Sequence, residues 1–454
     1  MDFHKKVLIA GTGISGLNAG KLLLKKGAEI IFYDDNAALD VEELLSKFDQ
    51  DDSVRVVLGS INDKILNDVG LMVISPGIPV DSDIANTVRD AGIPIWSEIE
   101  LAYEIGAGHL AAITGTNGKT TTTSLVGEIF GSFTKNHFTV GNIGIPYTEV
   151  AHLMDEDSYT VAEVSSFQLE TIVDFKPHVC AVLNVTPDHL NRHYTMENYA
   201  SVKLDICRNQ TEDDYLILNY DDEITKNMAK DKRVCSKVVY FSRLNDLPEG
   251  ICLKDNHIVL REKGTETTVI DVKDLILLGG HNIENYMAGI AVAYYMGIPM
   301  ENIVSVLKTF KGVAHRIEFV KEVNGVAYYN DSKGTNPDAA IKGIQAMNRK
   351  TVLIGGGYDK GVSFDDWIKA FDGKVKKLVL LGQTARLIAD TAAKYGFTDI
   401  EFVEDLKQAV TLCAEIAQPG EAVLLSPACA SWGMFDNYEQ RGDMFKEYVN
   451  ELGA

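Results

Sequence analysis

The sequence predicts an α/β protein of three domains: an N-terminal Rossmann-like unit, a central P-loop ATPase-like parallel sheet and a C-terminal Rossmann-like unit. Three observations carry this. The chain has 454 residues, enough for about three domains of roughly 150 residues each. Short apolar runs alternate with helical periodicity along most of its length, the rhythm of βαβ units. Two glycine-rich turns, Gly11 to Gly16 and Gly115 to Gly118, sit where an apolar strand passes into a helix. The expected boundaries are 1–97, 98–312 and 313–454.

The first unit opens with a strand over 6–10, the turn Gly11-Thr-Gly-Ile-Ser-Gly16, a helix to Lys26 and a strand over 29–33 that ends at Asp34-Asp35. Strands over 55–58, 71–75 and 93–96 continue the alternation and imply a parallel sheet. In the second unit the apolar runs 110–113, 159–164, 179–184 and 215–219 read as buried strands. Short β-like runs fill 237–270, and helical patterns cover 282–296 and 301–310. The third unit starts with a hairpin at Asn324-Gly325, a dipeptide suited to the primed turn. Strands over 352–355, 378–381 and 422–425 then alternate with helices as a second doubly wound sheet.

Composition narrows the function. With 46% hydrophobic and 24% charged residues the chain reads as globular. Its 43 basic and 65 acidic side chains leave a net charge of −22, which repels a nucleic-acid backbone. Apolar runs are strand length, far below the roughly 20 residues of a membrane span. The apolar stretch after Lys5 and Lys6 is too short for a secretory signal, so a cytoplasmic protein is expected. The cysteines (Cys180, Cys207, Cys235, Cys252, Cys413, Cys429) lack paired metal spacing and read as reduced core residues.

The chemistry concentrates in a few segments. In Gly115-Thr-Asn-Gly-Lys-Thr-Thr121, small residues let backbone N–H groups face phosphate oxygens, Lys119 adds a mobile charge, and Thr120 offers a hydroxyl to magnesium. Ile113 stands where a full P-loop has glycine, so the loop is a shortened variant. Gly11, Gly13 and Gly16 match the dinucleotide fingerprint, with Asp34 placed to accept from a ribose hydroxyl; tight strand-to-helix packing needs the same glycines. Glu163 closes an apolar strand where a carboxylate can complete a magnesium site with Thr120. The loop Asn184 to His193 gathers Asp188, His189, Arg192 and His193. Asn282 reads either as a helix N-cap or as a ligand contact, and Arg316 either as a hinge salt bridge or as a phosphate clamp. For Asn330 to Asp338, turn chemistry and ligand binding fit the composition equally well.

Taken together with His281-Asn282 and Asn285, His315-Arg-Ile-Glu318, Leu425-Ser-Pro-Ala-Cys-Ala-Ser431 and Glu439-Gln-Arg-Gly442, these segments occur in the order of the Mur ligases, and the chain resembles that family throughout. Asn330-Asp-Ser-Lys333 with Ser426 to Ser431 resembles its D-glutamate-adding branch. The resemblance implies an ATP-dependent amide ligase that phosphorylates the carboxylate of UDP-N-acetylmuramoyl-L-alanine and joins D-glutamate to it. It implies that Gly115, Thr116, Asn117, Gly118, Lys119, Thr120 and Thr121 hold ATP with Asn282, Arg316 and Asp331, and that Lys333 lies by the reacting phosphate. Two magnesium ions would be served by Thr120, Glu163 and His189, with Lys203 carrying a carbamate made from carbon dioxide. The helical pattern over 195–208 by itself makes Lys203 a solvated lysine. The UDP-sugar would meet Ile14, Ser15, Asp34, Asp35, Gly77 and Asn142, and D-glutamate would meet Thr335, Lys360, Ser431, Trp432 and Tyr438. Trp432 and Tyr438 depart from the aliphatic residue and phenylalanine of the family pattern. A monomer is expected, with no nucleic-acid or membrane partner. The alternatives are another Mur ligase, a folylpolyglutamate synthetase, against which the glycine turn with Ser75-Pro-Gly-Ile78 argues, and a nucleotide-binding regulatory protein.

Overall fold

A computed structural model describes residues 6–60, 63–143, 145–277 and 279–452. The N-terminal strands are β1 (Lys6–Ala10), β2 (Ile30–Asp34), β3 (Val54–Leu58), β4 (Val69–Ile74) and β5 (Ile95–Ser97). They form a parallel sheet in the order β3-β2-β1-β4-β5. Sheet growth reverses between β1 and β4, so the crevice where such sheets bind ligands opens beyond Ala10 and Ile74. Gly11 and Ser75 to Gly77 lie there.

The middle sheet holds β6 (His109–Thr114), β7 (His137–Gly141), β8 (Tyr159–Glu163), β9 (Val179–Val182), β10 (Tyr215–Asn219), β11 (Lys237–Ser242), β12 (Gly250–Lys254), β13 (His257–Glu262) and β14 (Thr265–Asp271). Its order is β14-β13-β12-β11-β10-β9-β6-β8-β7. After β6 the chain runs to β7 and β8 on one side and then to β9 on the other, so β6 is the switch point and the phosphate loop follows it. The runs expected over 237–270 are β11 to β14, of which β12-β13-β14 is an antiparallel meander.

The third sheet holds β15 (Glu318–Val323), β16 (Val326–Asn330), β17 (Thr351–Gly355), β18 (Val375–Leu380), β19 (Ile400–Phe402) and β20 (Ala422–Leu425), in the order β15-β16-β20-β17-β18-β19. The edge pair β15-β16 is antiparallel and turns at Asn324 (φ 51°) and Gly325 (φ 79°), the two positive values a type I′ turn requires. Period-2 alternation sets the packing. Leu353, Leu378 and Leu424 enter the core on one face, while Val352, Val379 and Val423 enter the core on the other. Each such side chain contributes about 1.5–3 kcal/mol of transfer free energy.

By contacts the chain forms two compact units, Met1–Asp274 with Glu284–Lys308, and Leu275–Ile283 with Thr309–Ala454. The first unit contains the first two sheets, and one apolar cluster runs from Phe32 and Trp96 to Tyr147 and Leu216. Three readings of the sequence change. Cys235 is exposed, unlike the other five cysteines. The helix expected over 195–208 is α-helical only at Met196–Leu204 and tightens to a 3-10 turn at Asp205–Cys207. Lys203 is 1% exposed, so it is not a solvated lysine. Among the described residues no helix is long and apolar enough to cross a membrane.

Candidate active site

The phosphate loop is held by its own backbone and by the loop after β9. Gly115 (φ 154°) and Gly118 (φ 83°) take conformations that favour glycine, and Gly118 precedes the helix Lys119–Phe133. Asn184 braces the turn: its Oδ1 accepts from Asn117 N at 2.8 Å and its Nδ2 donates to Asn117 O at 3.0 Å. Thr116 Oγ1 donates to Thr186 O and accepts from Thr186 N. Lys119 Nζ donates to Gly115 O (2.8 Å) and Thr116 O (2.9 Å), so its charge lies against the turn. Thr120 and Thr121 begin the helix behind it.

Glu163 ends β8 in register with Ile113 of β6, which places its carboxylate beside the start of the loop. It is 1% exposed. Oε1 accepts from Asn142 Nδ2 at 2.9 Å, while Oε2 is buried and has no hydrogen-bond partner among the described residues. An orphaned buried carboxylate oxygen is costly unless a cation completes it, so a magnesium ion fits this donor set. Lys203 approaches the same loop: Nζ donates to Gly115 O at 2.9 Å and lies 4.5 Å from the centre of the Tyr199 ring. Burial, reinforced by the Lys119 charge, pushes its ammonium well below the usual lysine range. His189, in a left-handed conformation (φ 52°), is half exposed and contacts the Phe167 ring at 4.8 Å. His193, four residues on, is fully buried on Ser166 Oγ (2.9 Å), and desolvation with nearby cations depresses it to about 4.

In the N-terminal turn the three glycines differ. A Cβ on Gly16 would lie 2.0 Å from Gly11 O, and one on Gly11 would meet Ser75 Oγ at 2.6 Å, whereas one on Gly13 or Gly77 would meet nothing within 4 Å. Gly11 and Gly16 thus serve packing, whereas the space over Gly13 and Gly77 is open. Ile14 stands 72% exposed over this opening, with Ser15 beside it and Asp35 exposed at the end of β2. Asp34 does something the fingerprint does not specify. Oδ2 accepts from Thr12 N and Oγ1 (3.2 and 2.7 Å) and Oδ1 from Asn36 N, so the carboxylate clasps the glycine turn. Asn142, expected on the sugar, spends its amide on Glu163.

In the C-terminal unit Asp331 is 4% exposed, accepts from Ser426 Oγ (2.7 Å) and is raised to about 6, chiefly by desolvation. Arg316 forms no ion pair at salt-bridge distance among the described residues, and its buried Nε lacks a partner there. Asn282 does not cap its helix, which begins at Gly280. Lys333 Nζ lies 5.8 Å from the Tyr438 ring centre. Thr335 precedes the helix Pro337–Ala346, whose N-cap is Asn336. Lys360 Nζ lies 5.2 Å over exposed Trp432, next to buried Ser431. The sequence reading gave no role to Arg441, 2% exposed, which binds Ser332 Oγ, Ser332 O and Cys429 O and so joins the Asn330 and Ser426 loops. Its only signal in the sequence was membership of Glu439-Gln-Arg-Gly442. Asn184, within the segment Asn184 to His193, was missed in the same way, and Tyr199 lay in none of the motifs.

Comparison with known proteins gives a consistent result. The Mur ligase MurD-like N-terminal domain matches residues 5–97, the Mur ligase middle domain 113–293, and the Mur ligase glutamate ligase domain 315–429. The UDP-N-acetylmuramoylalanine–D-glutamate ligase of Lachnoclostridium phytofermentans is 50% identical over 448 residues, 99% of this chain and 98% of that protein. Those of Lachnospira eligens and Clostridioides difficile are 51% and 45% identical, each with 99% of both chains covered. Among solved structures, the UDP-N-acetylmuramate-alanine ligase of Thermotoga maritima aligns with a TM-score of 0.59 at 19% identity, covering 98% of this chain and 99% of that one. MurF of Acinetobacter baumannii aligns at 0.61 and 15%, covering 98% and 93%. At such identities the structures share the fold.

Proposed function

The chain belongs to the Mur ligase family, and from that premise we propose that it is an ATP-dependent ligase joining D-glutamate to UDP-N-acetylmuramoyl-L-alanine in peptidoglycan precursor synthesis. The reading is carried by full-length likeness to D-glutamate ligases at 45 to 51% identity. A carboxylate resists attack because oxide is a poor leaving group. Transfer of the γ-phosphoryl of ATP to the acceptor carboxylate gives an acyl phosphate and ADP. The amine of D-glutamate then attacks, and the tetrahedral adduct collapses to amide and phosphate. The protein's part is to position the reactants and offset crowded negative charge.

In this reading the backbone of Gly115 to Gly118 and the Lys119 ammonium receive the outer phosphates. Asn282, Arg316 and Asp331 contact ATP, and Lys333 attends the phosphoryl group in flight. Thr120, Glu163 and His189 would hold two magnesium ions, which would neutralise phosphate charge. Lys203 has the property that carbamate formation needs: only a neutral amine attacks carbon dioxide, and burial favours the neutral form of this amine. The product, R–NH–COO⁻ with release of one proton, replaces a neutral amine by an anion near the metal ligands. Ile14, Ser15, Asp34, Asp35, Gly77 and Asn142 form the UDP-sugar site, with Asp34 and Asn142 acting through Thr12 and Glu163. Thr335, Lys360, Ser431, Trp432 and Tyr438 form the D-glutamate site. Domain limits of 1–97, 98–312 and 313–454, a cytoplasmic location and a monomeric state complete the reading. ADP release measured with UDP-N-acetylmuramoyl-L-alanine and either D-Glu, L-Glu, L-Lys or no amino acid tests it. Release is expected with D-Glu alone; equal turnover with L-Glu, or hydrolysis without either co-substrate, overturns it.

A further inference from the structure

Arg192 joins two parts of the first unit to which the proposed reaction assigns different jobs. Its side chain is 12% exposed. Nη1 donates to Pro76 O at 2.7 Å, and Nη2 donates to Ile78 O at 3.1 Å and to Glu170 at 2.5 Å. The two carbonyls flank Gly77, so the fork grips the turn after β4 from both sides. The face of the same group lies 4.1 Å over Phe167, in the segment that follows Glu163. Tyr194, two residues on, donates to Asp81 at 2.7 Å, a second tie to the N-terminal domain.

The other end of this link is His189. Arg192 N and His193 N both donate to His189 O at 3.0 Å, making one short turn, Leu190–His193. Phe167 touches three members of it: Arg192 by its face, His189 at 4.8 Å and His193 at 5.5 Å. His193 is anchored on Ser166, adjacent to Phe167. A shift of the Pro76–Ile78 turn therefore cannot leave His189 unmoved without breaking a charge-assisted hydrogen bond or unstacking Phe167.

We infer that Arg192 is a positioning residue that couples occupancy of the Gly77 turn by a nucleotide sugar to the placement of His189 as a cation ligand. The inference rests on the roles given above to Gly77 and His189. By linkage, ligand at the turn tightens cation binding by the factor by which cation tightens ligand binding.

The test measures that factor without turnover. The probe is UDP-N-acetylglucosamine, which lacks the carboxylate arm and so cannot bridge to the cation directly. Manganese binding is followed by the paramagnetic resonance of the free ion, with a non-hydrolysable ATP analogue present and with or without saturating probe. In the unaltered protein the probe should tighten manganese binding about fivefold, the lower end of usual coupling. Arg192→Lys keeps the charge but cannot reach two carbonyls and a carboxylate at once, and the factor should fall below about twofold. A merely structural arginine would weaken each ligand alone and leave the factor intact. Should Arg192→Lys not fold, by circular dichroism, Phe167→Leu is read in the same assay, with the same loss expected. Fivefold coupling retained in the folded variant, or none in the unaltered protein that binds the probe by calorimetry, overturns the inference alone. Absence of probe binding to the unaltered protein overturns the sugar-nucleotide reading of the turn, and the inference with it.

Discussion

Replacing Lys203 by methionine separates what its burial costs from what its nitrogen does. Methionine keeps the unbranched stem against Tyr199 and removes the amine. Gly115 O is not orphaned by the change, because Lys119 Nζ also donates to it at 2.8 Å, so the lost bond costs about 1 kcal/mol. Against this stands the proton. Burial depresses the amine well below its ordinary 10.5, so between the folded value and 10.5 the unfolded chain binds a proton that the folded chain has shed. Stability of the unaltered protein therefore rises with pH through that window, with a limiting slope of about 1.4 kcal/mol per pH unit. Lys203→Met lacks this contribution. In carbon-dioxide-free buffer the advantage of lysine over methionine should grow as pH rises towards 10, by about 3 °C in unfolding midpoint per pH unit for a domain of this size. Bicarbonate should raise the midpoint of the unaltered protein and leave that of the methionine variant in place. Ligase activity should be lost by two to three orders of magnitude, roughly what one electrostatic group contributes. Scanning calorimetry across the pH series checks the first two statements and an ADP-release assay the third. A midpoint difference that stays flat with pH would refute the buried neutral amine, and a fully active Lys203→Met protein would refute its catalytic part.

His193 is depressed to about 4 by desolvation and by the charge of Arg192, so its contribution is intact above 6.5 and is lost as pH falls towards 4. His193→Gln should flatten the acid limb of the stability profile by up to about 3 kcal/mol, read by urea unfolding between pH 4 and 7. Glu98 behaves oppositely: burial, partly offset by the 2.7 Å bond from Gln168, raises it to about 7. Its contribution is full below 4.5 and lost as pH rises through 7, so Glu98→Gln should match the unaltered protein at pH 4 and exceed it by up to about 3 kcal/mol at pH 8. Lys119→Ala should lose about 10²–10³ of kcat with an unchanged circular dichroism spectrum, since its amine engages Gly115 O and Thr116 O at a turn. Unfolding of that variant would make Lys119 structural.

Strand positions were largely legible along the chain, because an apolar run bounded by turn residues is a local property. The run Val352 to Ile354 alternates between two cores as its pattern requires. The Asn324-Gly325 turn was equally local, since its positive φ values need only those two residues. The meander β12 to β14 was legible as strands but not as an antiparallel edge, because pairing direction depends on partners outside the segment.

The site divides along the same line. By itself the sequence determined the phosphate loop, the open glycine turn and the acid that ends β8, since a strand followed by a small-residue turn fixes where backbone donors and carboxylates emerge. Tertiary structure alone decided what each side chain does there. It turned Asp34 onto Thr12 and left one oxygen of Glu163 unpartnered. It buried Lys203 on Gly115 O and set Arg441 between two loops. Burial and hydrogen bonding of a charged group depend on residues distant in the chain, 88 positions away for Lys203 and Gly115. Desolvation, which converts an ordinary lysine into a neutral amine, exists only once those residues meet.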